Sequence, residues 1–113
     1  MSDCIFCKIA QGTIPATFVH QDEQVVAFRD LHPQAPVHVL VVPRRHIPGL
    51  TDAAASDPEV LAAVYGAVRQ LAGSLGLAGG FRVVANSGQD GGQTVPHLHF
   101  HLLGGRPLAW PPG

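Results

Sequence analysis

The residues best suited to chemistry lie near the C-terminal end of the chain, in the stretch PHLHFHLL. There His97, His99 and His101 occupy every second position. Because successive side chains of a β-strand point to opposite faces, a strand over 97–103 would place all three imidazoles on one face. The intervening apolar side chains would then point to the core: Leu98, Phe100 and Leu102. Neutral imidazoles are nucleophiles and metal ligands, whereas protonated ones bind phosphate, so the pattern indicates a metal site or phosphate chemistry.

The segment before these histidines, SGQDGGQTVPH, is rich in glycine and polar residues. Gly88, Gly91 and Gly92 would let backbone N–H groups approach an anion closely, and Gln93 and Thr94 add side-chain donors. A catalytic zinc site could use three histidines, but it usually draws its ligands from more than one strand. The loop therefore favours phosphate chemistry.

A fourth histidine and a carboxylate could complete a nucleotide site. His38 lies early in a predicted strand, and Asp30 ends another. A carboxylate can accept two hydrogen bonds from a ribose diol, although an Asp before a Pro-rich loop is also a common turn former. The apolar residues that could contact a base are equally suited to a core: Ile5, Phe6, Ile9, Ile14, Phe28 and Leu31.

The two cysteines of the chain, Cys4 and Cys7, have C-x-x-C spacing. In a reducing compartment this spacing suits a metal or a redox pair better than a structural disulfide. A thioredoxin-type motif should follow a strand and open a long helix, and no strand is predicted before Cys4. Metal binding is therefore favoured over redox chemistry, with two ordinary thiols as the alternative.

These residues must be positioned by an α+β fold with a mostly antiparallel five-stranded sheet. Apolar periodicity predicts short strands at 17–21, 24–30, 37–43, 80–88 and 97–103, a short helix at 4–11, and a long helix from 56 to Gly76 or Gly79. Ser56 and Glu59 are predicted to form a capping box at the start of the long helix. The strand over 37–43 is apolar on both faces, which predicts a central position.

Composition limits the classes of function. The chain has 113 residues, 46% of them hydrophobic, and a formal net charge of −1. This length and hydrophobic content predict one compact domain. The net charge predicts that the chain lacks the basic surface that nucleic-acid binding requires. The sequence shows neither a signal-peptide pattern nor an apolar run long enough to span a membrane, which predicts a cytoplasmic protein.

Several motifs together resemble one family. HLHFHLL matches the pattern His-φ-His-φ-His-φ-φ, where φ is apolar, and PQAPVH, DGGQ and WPPG accompany it. Nearly the whole chain is similar to the HINT branch of the histidine-triad (HIT) superfamily, the purine nucleoside phosphoramidases. The resemblance implies one HIT domain over 1–113, in a homodimer whose two sheets join. The tail at 104–113 would reach the partner subunit.

The resemblance also implies an activity: hydrolysis of the P–N bond of purine nucleoside 5′-phosphoramidates, leaving AMP or GMP, through a covalent nucleotidyl-histidine. His99 would be the nucleophile, and His101 would contact the phosphate and assist the leaving amine. His38 and His97 would complete the catalytic histidines. The implied nucleotide-binding residues, besides His99 and His101, are Asp30, Leu31, Asn86, Gly92, Gln93, Thr94, Phe6, Ile9, Phe28 and Trp110.

No cofactor is implied for catalysis, but a structural zinc is possible. Some bacterial members of the superfamily carry the same C-x-x-C, and the resemblance then implies Cys4, Cys7, His46 and His97 as ligands. In that case His97 would be structural rather than an acid or base. Three other functions stay open: a dinucleoside-polyphosphate hydrolase or nucleotidyl transferase, a non-catalytic nucleotide-binding adaptor, and a zinc-dependent structural protein.

Overall fold

The computed structural model of the protein describes residues 3–113. Met1 and Ser2 lie outside the described residues. They are part of the N-terminal stretch for which the sequence predicts no signal peptide. The elements are α1 (Ile5–Ala10), β1 (Phe18–Gln21), β2 (Val25–Arg29), β3 (Val37–Pro43), a 3₁₀ helix (Ala53–Ser56), α2 (Pro58–Ser74), β4 (Phe81–Val84) and β5 (Phe100–Gly104). Within residues 3–113, no helix is both long and apolar enough to cross a membrane.

The five strands described for residues 3–113 form one antiparallel sheet in the order β1-β2-β3-β5-β4. The predicted α+β class and the central position of β3 are therefore confirmed. β3 and β5 are neighbours, with Leu40 opposite His101 and His38 opposite Leu103. Cross-strand partners project to the same side of a sheet, so this register brings His38 and His101 to one face.

The two faces of the sheet are covered by different helices. Along β3, Val39 and Val41 belong to a large apolar cluster with α2, whereas Leu40 and Val42 belong to a smaller cluster with Phe6 and Ile9 of α1. Because both faces are buried, the strand carries apolar residues at successive positions rather than alternating with polar ones. His38 and His101 lie on the α1 side, next to the smaller cluster.

The segment around the three histidines is less regular than predicted. β5 begins at Phe100, so His97 and His99 precede it. Pro96 has no N–H for a ladder, His97 N–H donates to the Val95 carbonyl, and the chain bends there. The alternation of side chains nevertheless continues through the bend. The intervening residues are buried in the α2-side cluster as predicted: Leu98, Phe100 and Leu102.

The start of α2 differs from the predicted capping box. Asp57 is the N-cap, and its carboxylate accepts a hydrogen bond from Glu59 N–H at 2.9 Å. Ser56 ends the preceding 3₁₀ helix and donates its hydroxyl to the Ala53 carbonyl. Pro58 explains the shift, since proline favours the first helical position and so makes its predecessor the cap. The helix ends at Ser74 with Leu75 as its C-cap, and Gly76, one of the two predicted end positions, follows with φ +72°.

Replacing Asp57 by alanine is expected to lower the free energy of unfolding by about 1 kcal/mol, the usual loss for a removed N-cap. Ser56→Ala is the matched control and should cost less, because its hydroxyl caps no N–H group of α2. Urea unfolding followed by circular dichroism measures both values. Equal losses in the two variants would contradict the assignment of the cap.

Candidate functional site

His99 is held in one tautomer by a backbone carbonyl. Its Nδ1 lies 2.7 Å from the carbonyl oxygen of His97. A carbonyl oxygen only accepts hydrogen bonds, so in the neutral ring Nδ1 carries the proton and Nε2 keeps its lone pair. The ring is 94% buried and packs edge-on against Phe6, with the ring centroids 5.0 Å apart. This arrangement presents a fixed, unprotonated nitrogen, as a nucleophile requires.

His101 and His38 form a second, directed pair. The backbone N–H of Gln34 donates to His38 Nδ1 at 3.0 Å, so the proton of neutral His38 is on Nε2. That Nε2 lies 2.8 Å from His101 Nδ1, which must therefore accept. The remaining proton of His101 is consequently on Nε2. The ring of His101 lies 5.3 Å from that of His99, so a donor nitrogen and a nucleophilic nitrogen belong to neighbouring rings.

Asp30 lies beside this pair. Its Oδ2 is 3.5 Å from His38 Nε2, and its Oδ1 accepts a 2.7 Å hydrogen bond from His32 N–H. The backbone bond from Asp30 N–H to the His38 carbonyl fixes the residue at the end of β2. The hydrogen bond from His32 N–H to Oδ1 closes an Asx turn, which explains why an Asp occurs before the Pro-rich loop. The other oxygen, Oδ2, still points toward the histidines.

Burial perturbs the pKa of both members of the pair. Loss of solvation lowers the pKa of His38 below 6.5, against the opposing attraction of the Asp30 carboxylate. Burial likewise lowers the pKa of His101, and repulsion from charge on His99 and His38 lowers it further, with Asp30 opposing. Both imidazoles therefore favour the neutral form that the tautomer assignment uses.

The fold is expected to lose stability as the pH falls below about 6.5, because His38 and His101 then protonate more readily in the unfolded chain than in the native state. The stabilisation is complete above that value. Urea midpoints at pH 7.5 and 5.5 measure the loss. His38→Gln, which cannot titrate, should show a smaller difference between the two midpoints than wild type, and an equal difference would contradict the prediction.

The Gly-rich loop is tied down by two amide side chains. Asn86 Nδ2 donates to the Gly91 carbonyl at 2.7 Å, and Gln93 Nε2 donates to the carbonyls of Pro48 and Val95 at 2.8 and 3.1 Å. Gln93 was expected to offer donors to an anion, but both of its N–H groups are used to fix the loop. Gly92 has φ +81°, a conformation that favours glycine.

The apolar residues expected around a base differ in their exposure to solvent. Phe6, Ile9 and Phe28 are each more than 90% buried in the α1-side cluster, so only a small part of each could touch a ligand. Leu31 and Trp110, by contrast, are 89% and 81% exposed. Trp110 lies in the irregular tail, which Arg82 holds through a 2.7 Å hydrogen bond to the Ala109 carbonyl.

A second group of chemically active residues lies next to the histidines. Cys4, Cys7, His46 and His97 each place one ligand atom within 4.8 Å of the others. His97 Nδ1 is 3.2 Å from Cys4 Sγ, 3.5 Å from Cys7 Sγ and 3.2 Å from His46 Nδ1. The structure thus brings together all four residues of the expected zinc set, which we call the Cys–His cluster.

The donors of this cluster fit a tetrahedral metal ion. Two thiolates at about 2.3 Å and two imidazoles at about 2.0–2.1 Å from zinc would lie about 3.3–3.8 Å apart, close to the spacings found. His97 Nε2 donates to the Pro43 carbonyl at 2.8 Å, which leaves the lone pair on Nδ1, toward the cluster. The Cys–His cluster could therefore hold a metal.

The same contacts bear on the place of His97 in the predicted catalytic set. The His97 side chain is fully buried, with one ring nitrogen on Pro43 and the other in the Cys–His cluster. With both nitrogens engaged in this way, its surroundings favour the structural alternative for this residue over a role as acid or base. Three backbone groups set the histidine tautomers: Gln34 N–H and the carbonyls of Pro43 and His97. None of them has a side-chain signature that a sequence pattern could reveal.

Comparison with known proteins identifies the family. The model of the HIT domain matches residues 11–108. The chain belongs to the HIT family. Among its relatives, an uncharacterized HIT-like protein of Synechococcus elongatus is 51% identical over 111 residues, covering 98% of this chain and 97% of the relative. One from Synechocystis is 47% identical with the same coverage.

Solved structures of HIT proteins share the whole architecture. A HIT family hydrolase from Legionella pneumophila superposes with a TM-score of 0.94 at 50% identity, covering 98% of this chain and all of the other. A histidine triad protein from Clostridium difficile gives 0.91 at 45%, with 96% of each chain covered. A histidine triad nucleotide-binding protein from Candida albicans gives 0.83 at 31%, covering 96% of this chain and 83% of the other.

Proposed function

We propose that this HIT protein is a hydrolase of purine nucleoside 5′-phosphoramidates, of the HINT branch. The observation that carries the proposal is the pairing of His99, whose Nε2 is free of its proton, with His101, whose Nε2 bears one. A phosphorus centre attacked by the first could have its leaving nitrogen protonated by the second. The similarity to a HIT family hydrolase from Legionella and to a histidine triad nucleotide-binding protein from Candida supports the same class.

The proposed reaction has two steps. His99 Nε2 attacks the α-phosphorus, and the P–N bond breaks as the nitrogen takes a proton from His101 Nε2, which leaves a nucleotidyl-histidine and a free amine. Water then attacks the phosphorus, returns a proton to His101, and releases the nucleoside monophosphate as the His99–P bond breaks. Covalent catalysis divides the displacement into two easier steps, and His38 keeps His101 oriented through both.

The remaining site residues bind the nucleotide in this proposal. Asp30 holds the ribose hydroxyls, for which its Oδ2 is suitably placed at the edge of the histidine pair. Thr94 and the backbone at Gly92 contact the phosphate, while Asn86 and Gln93 hold the loop in shape. The base lies against Leu31 and the accessible parts of Phe6, Ile9 and Phe28.

We also propose that residues 1–113 act as one HIT domain in a homodimer, with no cofactor needed for catalysis. The exposure of Trp110 supports this, because tryptophan is enriched at protein interfaces and 81% of this residue is exposed. The tail at 104–113 would bring this tryptophan to the partner subunit's site. A cytoplasmic location would supply both the nucleotides and the reducing conditions.

The first test of the function is release of AMP from adenosine 5′-phosphoramidate by the wild-type protein. Steady release with multiple turnovers would support the phosphoramidase. Tight binding of AMP without release would instead favour the nucleotide-binding adaptor. Faster cleavage of diadenosine polyphosphates than of the phosphoramidate would favour the polyphosphate hydrolase. Assays with guanosine 5′-phosphoramidate and with several amine leaving groups would then define the substrate range.

A further inference from the structure

His97 belongs to both groups of reactive residues at once. Its ring nitrogen Nδ1 faces the sulfur atoms of Cys4 and Cys7, at 3.2 and 3.5 Å. Its backbone carbonyl accepts the Nδ1 proton of His99 at 2.7 Å. One residue therefore connects the Cys–His cluster with the hydrogen bond that defines the tautomer of the candidate nucleophile.

The position of that carbonyl depends on the chain around the cluster rather than on the sheet. The His97–Leu98 peptide precedes β5 and so lacks the regular ladder. Because a peptide unit is planar, the N–H of Leu98 and the carbonyl of His97 turn together. This N–H donates to the Ile47 carbonyl at 2.6 Å, and Ile47 directly follows His46 of the cluster. The peptide unit is thus held at two points: at His97, which belongs to the cluster, and at Ile47, which follows the cluster residue His46.

A second connection runs through α1. Cys4 is the N-cap of this helix, and its sulfur accepts a hydrogen bond from Cys7 N–H at 3.4 Å. Phe6, between the two cysteines, packs edge-on against the rings of His97 and His99, with centroids 5.9 and 5.0 Å away. Fixing the two sulfur atoms therefore also fixes an aromatic ring that contacts the nucleophile.

We infer that the Cys–His cluster, when it holds a metal ion, is a positioning device for His99 and thereby sets the rate of turnover. Metal binding would order the His97 side chain and the 46–47 segment, which together orient the carbonyl that receives the His99 Nδ1 proton. Without this order, the Nε2–H tautomer of His99 becomes accessible, and that tautomer has no lone pair on Nε2 with which to attack. The kinetic part of this inference rests on the proposed function.

The test uses His46, because it is the exposed member of the cluster. His46→Ala removes one ligand, whereas His46→Cys keeps a four-ligand set of a kind that zinc accepts. Arg45→Ala is the matched surface control. For each protein, loaded with Zn²⁺ and then desalted, three properties are measured: bound zinc by mass spectrometry, the His99 tautomer by ¹⁵N NMR, and kcat and KM for adenosine 5′-phosphoramidate.

We expect His46→Ala to lose zinc and its single His99 tautomer, with kcat reduced roughly tenfold or more. KM should change by no more than about twofold, because the nucleotide contacts remain. His46→Cys should restore zinc, tautomer and kcat, and Arg45→Ala should match wild type.

Three results would overturn the inference. One is a zinc-free His46→Ala with unchanged kcat and an unchanged His99 signal, which would make the cluster purely stabilising. Another is a wild-type protein that takes up no zinc. The third applies if wild type binds zinc but releases no AMP, in which case the proposed function fails and only the NMR signal of His99 tests the inference. A His99 tautomer that is the same with and without zinc then overturns the inference, whereas a changed tautomer supports it.

Discussion

His99→Ala should release AMP from adenosine 5′-phosphoramidate at least about 10³-fold more slowly than wild type, because the variant lacks the nitrogen that we propose forms the covalent intermediate. The nitrogen is prepared for this role by a single contact, the 2.7 Å hydrogen bond from Nδ1 to the His97 carbonyl. No other described imidazole is both neighbour to His101 and held with Nε2 unprotonated by a carbonyl at Nδ1. Steady-state assays of AMP release measure the loss.

The control must separate loss of chemistry from loss of structure. His20 pairs with the Asp22 carboxylate at 2.8 Å on β1, an outer strand of the sheet, so His20→Ala should keep wild-type turnover. Rapid acid-free quenching of wild type during turnover should trap a nucleotidyl adduct on His99, whereas His99→Ala should show none. A folded His99→Ala protein with wild-type turnover would remove His99 from the mechanism.

Zinc binding at the Cys–His cluster should change the free energy of unfolding more than loss of the α2 N-cap does. A zinc ion present at about 1,000 times its dissociation constant contributes about 4 kcal/mol to the free energy of unfolding. A strong chelator should therefore lower the thermal midpoint of the wild-type protein markedly, and Zn²⁺ should restore it. Mg²⁺ should not, because thiolates and imidazoles are poor ligands for this harder ion.

Cys7→Ser provides the comparison for this measurement. Its sulfur is buried and lies 3.3 Å from His46 Nδ1, so the variant should lose most of its metal affinity. The variant should consequently start near the midpoint of chelated wild type and respond little to chelator or Zn²⁺. A wild-type midpoint that ignores both reagents would show that the Cys–His cluster binds no stabilising ion.

Patterns with a short repeat were predictable from the sequence. The period-two alternation from Leu98 to Leu102 correctly predicted which side chains are buried against α2. The apolar run of β3 correctly predicted a strand covered on both faces. Burial favours apolar residues at every second position in the first case and at every position in the second. The pattern of apolar residues therefore reveals which side chains are buried.

Features that depend on distant backbone groups were not predictable in the same way. The departure of His97 from the strand follows from Pro96 and from a hydrogen bond between Leu98 and Ile47, and no local pattern encodes the second of these. The shift of the α2 cap to Asp57 could have been foreseen, because Pro58 marks the first helical turn. The resemblance to the HIT family, by contrast, grouped Cys4 with residues far along the chain before any geometry was available.

Because the chain is synthesised from its N-terminus, the contact between Cys4 and His97 can form only after the segments between them have been made. Cys4 and His97 are 93 positions apart, and β3 must wait for β5 before its second edge is paired. On the ribosome, a growing chain therefore leaves Cys4 without its contact to His97, and one edge of the apolar strand β3 unpaired, until His97 and β5 have been translated. Closing loops of this length costs conformational entropy before any contact repays it, so the β3–β5 ladder and the Cys–His cluster should form later than the local ladders of β1, β2 and β3.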